Sequence, residues 1–173
     1  DWKTATVEMI HAARQVEAAG ADFLVIATNT MHLMADEVQN AIHIPLLHIA
    51  DAAAEAVKAR GINKIGLLGT RFTMDGDFYK GRLNRNHGLE VVIPSEVDQE
   101  TVHNIIYNEL VIGKILPQSR KQYLEVIQRM SRQGAQGIIL GCTEIGLLVK
   151  QEDCTLPLFD TTLIHALKAV EIA

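Results

Sequence analysis

Two segments of the chain repeat one pattern, and this repeat constrains the fold more than any other feature. Residues 20–31 and 134–145 each begin with Gly-Ala, continue into an apolar run and end in a polar turn. Thr28 and Cys142 occupy equivalent positions in the two turns, 114 residues apart. A second pair of similar segments, 44–49 and 156–161, follows in the same order. Two matches in register indicate a duplicated unit.

The rest of the chain alternates strand-like and helix-like segments. Continuous apolar runs, such as residues 22–27 and 64–68, are each followed by a polar turn and then by a segment with helical spacing. This order favours parallel sheets covered by helices. Because 48% of the residues are apolar and only 5% are aromatic, the core must be aliphatic, as is typical of parallel sheets. The sequence therefore predicts an α/β fold.

The duplication also predicts that one part of the first unit lies outside this chain. In the second unit, the strand at residues 64–68 leads into a polar turn at residues 69–73. The first unit should contain a matching strand and turn before residue 1, whereas the chain opens inside a predicted helix. We therefore expect the first strand and turn of the first unit to be missing from this sequence.

Composition excludes several classes of function. The net charge is −5 and basic residues are scattered, so we expect no nucleic-acid partner. No apolar run reaches membrane-spanning length, so we expect no membrane partner. The two cysteines are too few for a disulfide framework, which favours a cytoplasmic location. No phosphate-binding glycine motif and no ligand-spaced Cys/His cluster is present, so we expect no cofactor and no metal.

The paired turns predict the site. Ligands of α/β sheets bind at the carboxyl ends of strands, where both turns lie. If a pseudo-twofold axis relates the two units, Thr28 and Cys142 face each other across a cleft. This arrangement suits the removal of a proton from one face of a carbon and its return on the other face. A thiol, with an ordinary pKa of about 8.5, is a workable base. Other polar residues of the turns are suited to holding a carboxylate: Asn29, Thr30, Thr70 and Thr143.

These motifs resemble the aspartate/glutamate racemase family. The resemblance lies in the pairing of residues 27–32 with residues 141–145, and residues 66–74 resemble the intervening turn of that family. It extends over essentially the whole chain and is closest to the aspartate-racemase branch, which includes bacterial broad-specificity amino-acid racemases.

The resemblance implies cofactor-independent racemisation of a small α-amino acid by two bases, one on each side of the α-carbon. It also implies two similar α/β domains with the active site between them, and a homodimer. Residues 1–44 with 156–173 would form the first domain, and residues 45–155 the second. Asn29, Thr30, Thr70 and Thr143 match the substrate-binding turns of the family, and Lys114 matches a lysine at the site.

The sequence departs from the family pattern at one catalytic position, because Thr28 stands where the first cysteine is expected. A hydroxyl is far less acidic than a thiol and is a poor proton carrier without assistance. Three alternatives follow. The protein racemises through Cys142 and an assisted Thr28, with unequal efficiency towards the two enantiomers. It uses Cys142 alone, as a one-base lyase or isomerase. Or it is a weakly active racemase-like module that binds a ligand.

Four further residues have simpler interpretations. Glu144 is either an acidic residue at a helix N-terminus, which we favour, or a group that tunes Cys142. His32 and His48 are expected to be structural. Cys154 has no counterpart in the repeat and is expected to be incidental.

Overall fold

Short aliphatic runs, interrupted by glycine and proline, form six parallel strands in the computed structural model, which describes residues 1–173. The strands are β1 Leu24–Val25, β2 Leu46–Leu47, β3 Lys64–Gly69, β4 Glu90–Val92, β5 Ile138–Gly141 and β6 Leu158–Asp160. β1 and β2 form a two-stranded sheet, and the other strands form a four-stranded sheet in the order β4-β3-β5-β6. Every pairing is parallel, which confirms the α/β class with parallel sheets.

Helices connect the strands. They are α1 Trp2–Ala18, α2 Ala35–Asn40, α3 Ile49–Ala59, α4 Arg71–Asp75, α5 Asp77–His87, α6 Glu96–Asn108, α7 Pro117–Arg132, α8 Ile145–Leu148 and α9 Thr161–Ile172. Three short 3-10 segments span Thr30–Met34, Leu110–Ile112 and Gln151–Asp153. None of the helices combines the length and the apolar character needed to cross a membrane.

Local sequence determines where several helices begin and end. Asp160 caps α9, because its carboxylate accepts a hydrogen bond from the Thr162 amide at 2.9 Å. Gly88 ends α5 in the left-handed conformation, with φ of 68°, which a residue without a Cβ adopts readily. Gly113 follows the second 3-10 segment in the same conformation, with φ of 75°.

The sequence of residues 99–112 predicts one helix, but the structure divides this segment. Ser95 caps α6 earlier than expected, since its hydroxyl accepts from the Asp98 amide at 3.4 Å. At Glu109 the backbone turns to φ −130° and ψ −64°, which ends the helix before the 3-10 segment Leu110–Ile112. This break matters for function, because the 3-10 segment lies beside the candidate site.

Alternating side chains of the larger sheet build a core on each of its faces. Ile138 and Leu140 of β5 pack with α6 and α7 on one face. Ile139 and Leu67 pack with α3 and α5 on the other face. Both faces are thus covered by helices, which is why the central strands are almost continuously apolar. A smaller cluster, which includes Leu24 and Val38, lies under the two-stranded sheet.

Strand pairing differs from the expected domain boundaries at two strands. β2 falls within the expected second domain, residues 45–155, but pairs with β1. β6 falls within the C-terminal segment 156–173 of the expected first domain, but extends the larger sheet beside β5. Each of these two strands pairs with the sheet edge that lies next to it in the folded chain. No local sequence pattern specifies which edge that is. The division into two domains stays a prediction. The strand pairing groups β2 with β1 and β6 with the larger sheet.

Candidate active site

Polar turns from both sheets meet at the carboxyl ends of their strands. The last rung between β3 and β5 pairs Gly69 with Gly141, so Thr70 and Cys142 follow on neighbouring strands. A Cβ on Gly141 would lie 2.9 Å from the carbonyl oxygen of Leu68, so the close approach of these strand ends requires glycine. Thr30, in the turn that follows β1, places its hydroxyl 3.3 Å from that of Thr70. The carboxyl ends of strands from both sheets therefore lie next to each other.

A cavity of about 160 Å³ lies at this junction. It is lined by Thr28, Asn29, Thr30, Thr70, Ile106, Tyr107, Val111, Gly141, Cys142, Thr143 and Glu144. The structure thus brings together both residues expected to carry the proton and four of the five expected to hold substrate. Lys114 is the exception, because it is exposed and does not line the cavity. Cys154 lines a separate depression of about 350 Å³ beside α7.

Cys142 and Glu144 form a hydrogen-bonded pair in the cavity wall. The Cys142 thiol donates to Glu144 Oε2 over 2.9 Å, and the Thr143 hydroxyl donates to the same oxygen over 2.8 Å. Glu144 immediately precedes α8 but makes no capping hydrogen bond with its side chain. Glu144 therefore lies at a helix N-terminus, as favoured, while its carboxylate is directed at Cys142, as the alternative of a group that tunes this thiol requires.

This environment keeps the thiol protonated. Burial raises the pKa of Cys142 to about 12, and the Glu144 carboxylate acts in the same direction. Burial opposes ionisation of Glu144 as well, but the hydrogen bonds from Cys142 and Thr143 outweigh it and lower the pKa of that carboxyl. The sequence predicted a thiol that acts as a base, with an ordinary pKa of about 8.5. The structure instead contains a neutral thiol beside an ionised carboxylate at neutral pH.

His32 holds the backbone of the first turn in place. Its Nε2 accepts from the Ile49 amide at 3.2 Å, so Nδ1 carries the proton and donates to the Thr28 carbonyl at 2.8 Å. Burial lowers the pKa of His32 to about 4, and the ring is neutral at pH 7. These bonds connect the Thr28 turn to the start of α3 and give His32 a structural role.

Two more buried histidines surround His32. The ring centroid of His48 lies 4.5 Å from that of His32, and the His48 Nδ1 accepts from the Ala50 amide to cap α3. The ring of His165 lies 5.9 Å from His32 and donates to the Leu47 carbonyl at 2.8 Å. Burial lowers the pKa of His48 to about 2. The three rings pack β2, α3 and α9 together behind the Thr28 turn.

Asn29 connects the cavity to the larger sheet and leaves one acceptor free. Its Nδ2 donates to the Thr161 hydroxyl at 3.1 Å, and that hydroxyl donates to the Leu140 carbonyl at 2.8 Å. Asn29 Oδ1 is buried and has no hydrogen-bond partner. An unpaired buried acceptor is costly. Because Asn29 also lines the cavity, this acceptor is a candidate partner for an N–H or ammonium group of a ligand.

Sequence reasoning missed the apolar wall of the cavity. Ile106 and Tyr107 come from the last turns of α6, and Val111 comes from the 3-10 segment after it. The Tyr107 ring packs against His103, with 4.6 Å between the ring centroids. A helical pattern indicates which face of α6 is apolar, but it does not indicate that the end of α6 lies over the turns of β1, β3 and β5. No sequence signal could have assigned these residues to the site.

Comparison with known proteins agrees with the motifs. A family model described as Asp/Glu/Hydantoin racemase matches residues 1–169. Among curated proteins, the broad specificity amino-acid racemase RacX of Bacillus subtilis (strain 168) is 26% identical over 157 residues. That match covers 89% of this chain and 66% of RacX.

Two solved structures are close in both sequence and shape. A Yersinia pestis protein, provisionally described as an Asp/Glu racemase, is 52% identical with a TM-score of 0.94. An aspartate racemase homologue from Pyrococcus horikoshii OT3 is 38% identical with a TM-score of 0.88. Each match covers 99% of this chain and 75% of the other protein. The chain thus spans about two thirds of RacX and three quarters of both structures.

Proposed function

The chain belongs to the Asp/Glu/hydantoin racemase family, and on that premise we propose that it is the body of a cofactor-independent amino-acid racemase. Cys142 and Thr28 would exchange the α-proton of a small amino acid between the two faces of its α-carbon. One observation carries this proposal. Thr28 and Cys142 follow strands of different sheets and nevertheless line the same cavity of about 160 Å³.

The polar lining suits an amino acid held by its carboxylate and ammonium groups. The hydroxyls of Thr30 and Thr70 are donors that would bind the carboxylate and stabilise the charge that develops on it when the α-proton leaves. Thr143 donates its hydroxyl proton to Glu144 and would instead contribute its backbone N–H. The buried Asn29 Oδ1, which has no protein partner, would accept from the ammonium group. Each group of the lining then has a complementary group on the substrate.

The two catalytic positions differ in chemistry, which makes the reaction asymmetric. On the Cys142 side, sulfur takes the α-proton and the electron pair stays on the carbon. On the Thr28 side, the hydroxyl returns a proton to that carbon and is left as an alkoxide, which takes a proton from solvent before the next turnover. The reverse reaction would require Thr28 to act as a base, which a hydroxyl does poorly. Because the two enantiomers have equal free energy, kcat/KM for racemisation is the same in both directions. The asymmetry is therefore expected in solvent exchange, which is faster for the α-hydrogen that faces Cys142.

Lys114 remains a proposed substrate contact. It follows the cavity-lining Val111 by three residues, and the family resemblance motivates its role. We propose that it favours an amino acid with an acidic side chain, which the ratio of KM values for aspartate and alanine would test in Lys114→Met.

We also propose a homodimer and a cytoplasmic location. Cys142 and Cys154 are both free thiols, as is usual in a reducing compartment. The dimer rests on the family resemblance, and light scattering of the purified full-length protein tests it.

Thr28 also supports a second candidate function, in which Cys142 acts without a partner base. A one-base lyase or isomerase would need only one side of the cavity to be reactive, and a ligand-binding module would need neither. These candidates differ from a racemase in one measurable property, because none of them interconverts enantiomers.

The deciding experiment uses the full-length protein in deuterium oxide with L- and D-aspartate, glutamate and alanine. NMR follows deuterium at the α-carbon, and chiral chromatography follows inversion. We expect inversion that disappears in Cys142→Ala. Exchange without inversion would support the one-base enzyme, and binding without exchange would support the ligand-binding module. Inversion that survives in Cys142→Ala would remove the thiol from the mechanism.

A further inference from the structure

The carboxylate of Glu144 accepts a hydrogen bond from the Cys142 thiol. Its Oε2 receives both the thiol, at 2.9 Å, and the Thr143 hydroxyl, at 2.8 Å. Glu144 forms no ion pair with any Lys, Arg or His side chain, and the donors on that oxygen are the two residues before it. The side chain is partly exposed and lines the same cavity as Cys142 and Thr28.

The arrangement poses a chemical problem for proton transfer. A sulfur that already carries a proton cannot take another from a substrate unless the first proton leaves. The thiol proton is directed towards Glu144, which leaves the remaining sulfur lone pairs free for other contacts. The acceptor for the departing proton is therefore already in hydrogen-bond contact.

We propose that Glu144 is a positioning residue that accepts the thiol proton of Cys142 while the sulfur takes the α-proton of the substrate. This role rests on the function proposed above. One C–H bond and the original S–H bond break, and a new S–H bond and an O–H bond to Glu144 form. The electron pair of the C–H bond stays on the α-carbon, and the negative charge moves from Glu144 to the substrate. No free thiolate forms at any point.

This transfer of the thiol proton to Glu144, here called the relay, predicts a different response of the exchange rate to pH from a mechanism that uses a free thiolate. Burial raises the pKa of Cys142 to about 12, so a mechanism through free thiolate would accelerate with pH throughout the accessible range. A relay needs only an ionised Glu144, whose pKa is lowered by its two hydrogen bonds against the effect of burial. Its rate is constant from neutral to mildly alkaline pH.

Two other titratable groups face this pair. Tyr107 lies in the cavity wall on α6, and Tyr123 lies on α7 in the core. Burial holds the pKa of Tyr123 well above its usual value, with Cys142 and Glu109 adding to the effect, so Tyr123 stays neutral in the range of the test. A Tyr107→Phe variant removes the other phenol and shows whether that phenol contributes to the pH profile.

The test is Glu144→Gln in the full-length protein, with α-proton exchange measured from pH 5 to 10. Glutamine retains the size of the side chain but does not take the proton. We expect exchange at pH 7 to fall roughly 100-fold and the remaining rate to rise with pH. Glu152→Gln is the matched control, because this exposed residue lies outside the cavity.

A second measurement does not depend on activity. In a Cys154→Ala background, we expect iodoacetamide to modify Cys142 faster in Glu144→Gln than in the parent protein at the same pH, since the thiol loses its carboxylate partner. Slower exchange together with faster alkylation is the signature of the relay. Circular dichroism would reveal a variant that does not fold. In that case Glu144→Asp replaces Glu144→Gln, because the shorter side chain retains the charge but moves the carboxylate away from the Cys142 thiol.

Exchange by Glu144→Gln within threefold of the parent, or a pH profile unchanged from the parent, would overturn the relay while leaving the racemase assignment intact. A parent protein that exchanges no α-proton would instead overturn the assigned function, and the relay with it. The two failures are therefore distinguishable.

Discussion

The hydroxyl of Thr30 lies 3.3 Å from the hydroxyl of Thr70, although the two residues belong to turns of different sheets. Thr70 is held in turn by Thr73, whose amide donates to its oxygen at 3.3 Å and whose hydroxyl lies 3.2 Å away. Thr30 and Thr70 both line the cavity, so their contact joins the two sheets at the carboxyl ends of their strands. A small molecule held there meets side chains from both sheets.

Cys142→Ser should reduce α-proton exchange roughly 1,000-fold, because an alcohol replaces the thiol at the position that takes the proton. Deuterium incorporation at the α-carbon of aspartate, measured by NMR, reports the loss. Cys154→Ser serves as the matched control, since Cys154 lines a different depression. Equal losses in the two variants would indicate that exchange does not depend on the cavity.

Thr28→Cys should raise racemisation roughly tenfold or more, because a thiol carries a proton far better than an alcohol. The gain in exchange of the α-hydrogen with solvent should be largest for the enantiomer whose α-hydrogen faces residue 28. Initial rates from each pure enantiomer provide the measurement. Thr28→Ser retains a hydroxyl and should show no gain. If Thr28→Cys racemises neither enantiomer faster than the parent protein does, Thr28 does not limit the rate as a weak base.

Asn29→Ala should raise the KM for the substrate about tenfold, because the acceptor proposed for the ammonium group is lost. The variant also loses the hydrogen bond to Thr161, so thermal unfolding should be recorded alongside the kinetics. Asn40→Ala, at the exposed end of α2, is the control for an Asn substitution outside the cavity. A change in stability with an unaltered KM would assign Asn29 a purely structural role.

Acidification should destabilise the fold through the buried histidines. The pKa values of His32 and His48 are lowered to about 4 and about 2, with burial as the first cause, whereas an unfolded histidine titrates near 6.5. Below pH 6.5 the unfolded chain therefore binds protons that the folded chain does not, so stability falls as pH falls. The loss between pH 7 and pH 5 is about 2 kcal/mol for each ring.

Urea unfolding at pH 7 and at pH 5 measures this loss. His48→Asn removes one titrating ring and retains a residue that caps helices well, so its loss of stability between pH 7 and pH 5 should be about 2 kcal/mol smaller than that of the parent. His11→Asn, at an exposed position, should leave the dependence unchanged. An undiminished pH dependence in His48→Asn would assign the effect to other groups.

Much of the fold was predictable because it is encoded locally. The alternation of apolar runs and helical segments predicted the parallel α/β class, and the motifs around Thr28 and Cys142 predicted the family, which the match to residues 1–169 confirms. Predictions that depended on pairing were less successful. The strand expected at residues 22–27 forms only at Leu24–Val25, and β2 and β6 pair outside the domains assigned to them.

By itself, then, the sequence determined which residues stand at the ends of strands, because a strand, its terminating glycine and the following turn are set by neighbours in the chain. Only the tertiary structure decided which of those ends meet. It placed Tyr107 and Val111 over the turns and left Lys114 outside the cavity. It also directed the carboxylate of Glu144, at the start of α8, towards the Cys142 thiol. The physical reason is that the walls of a cavity and the pKa values of side chains depend on distances and burial. These arise only when separate elements pack together, and spacing along the chain does not specify them.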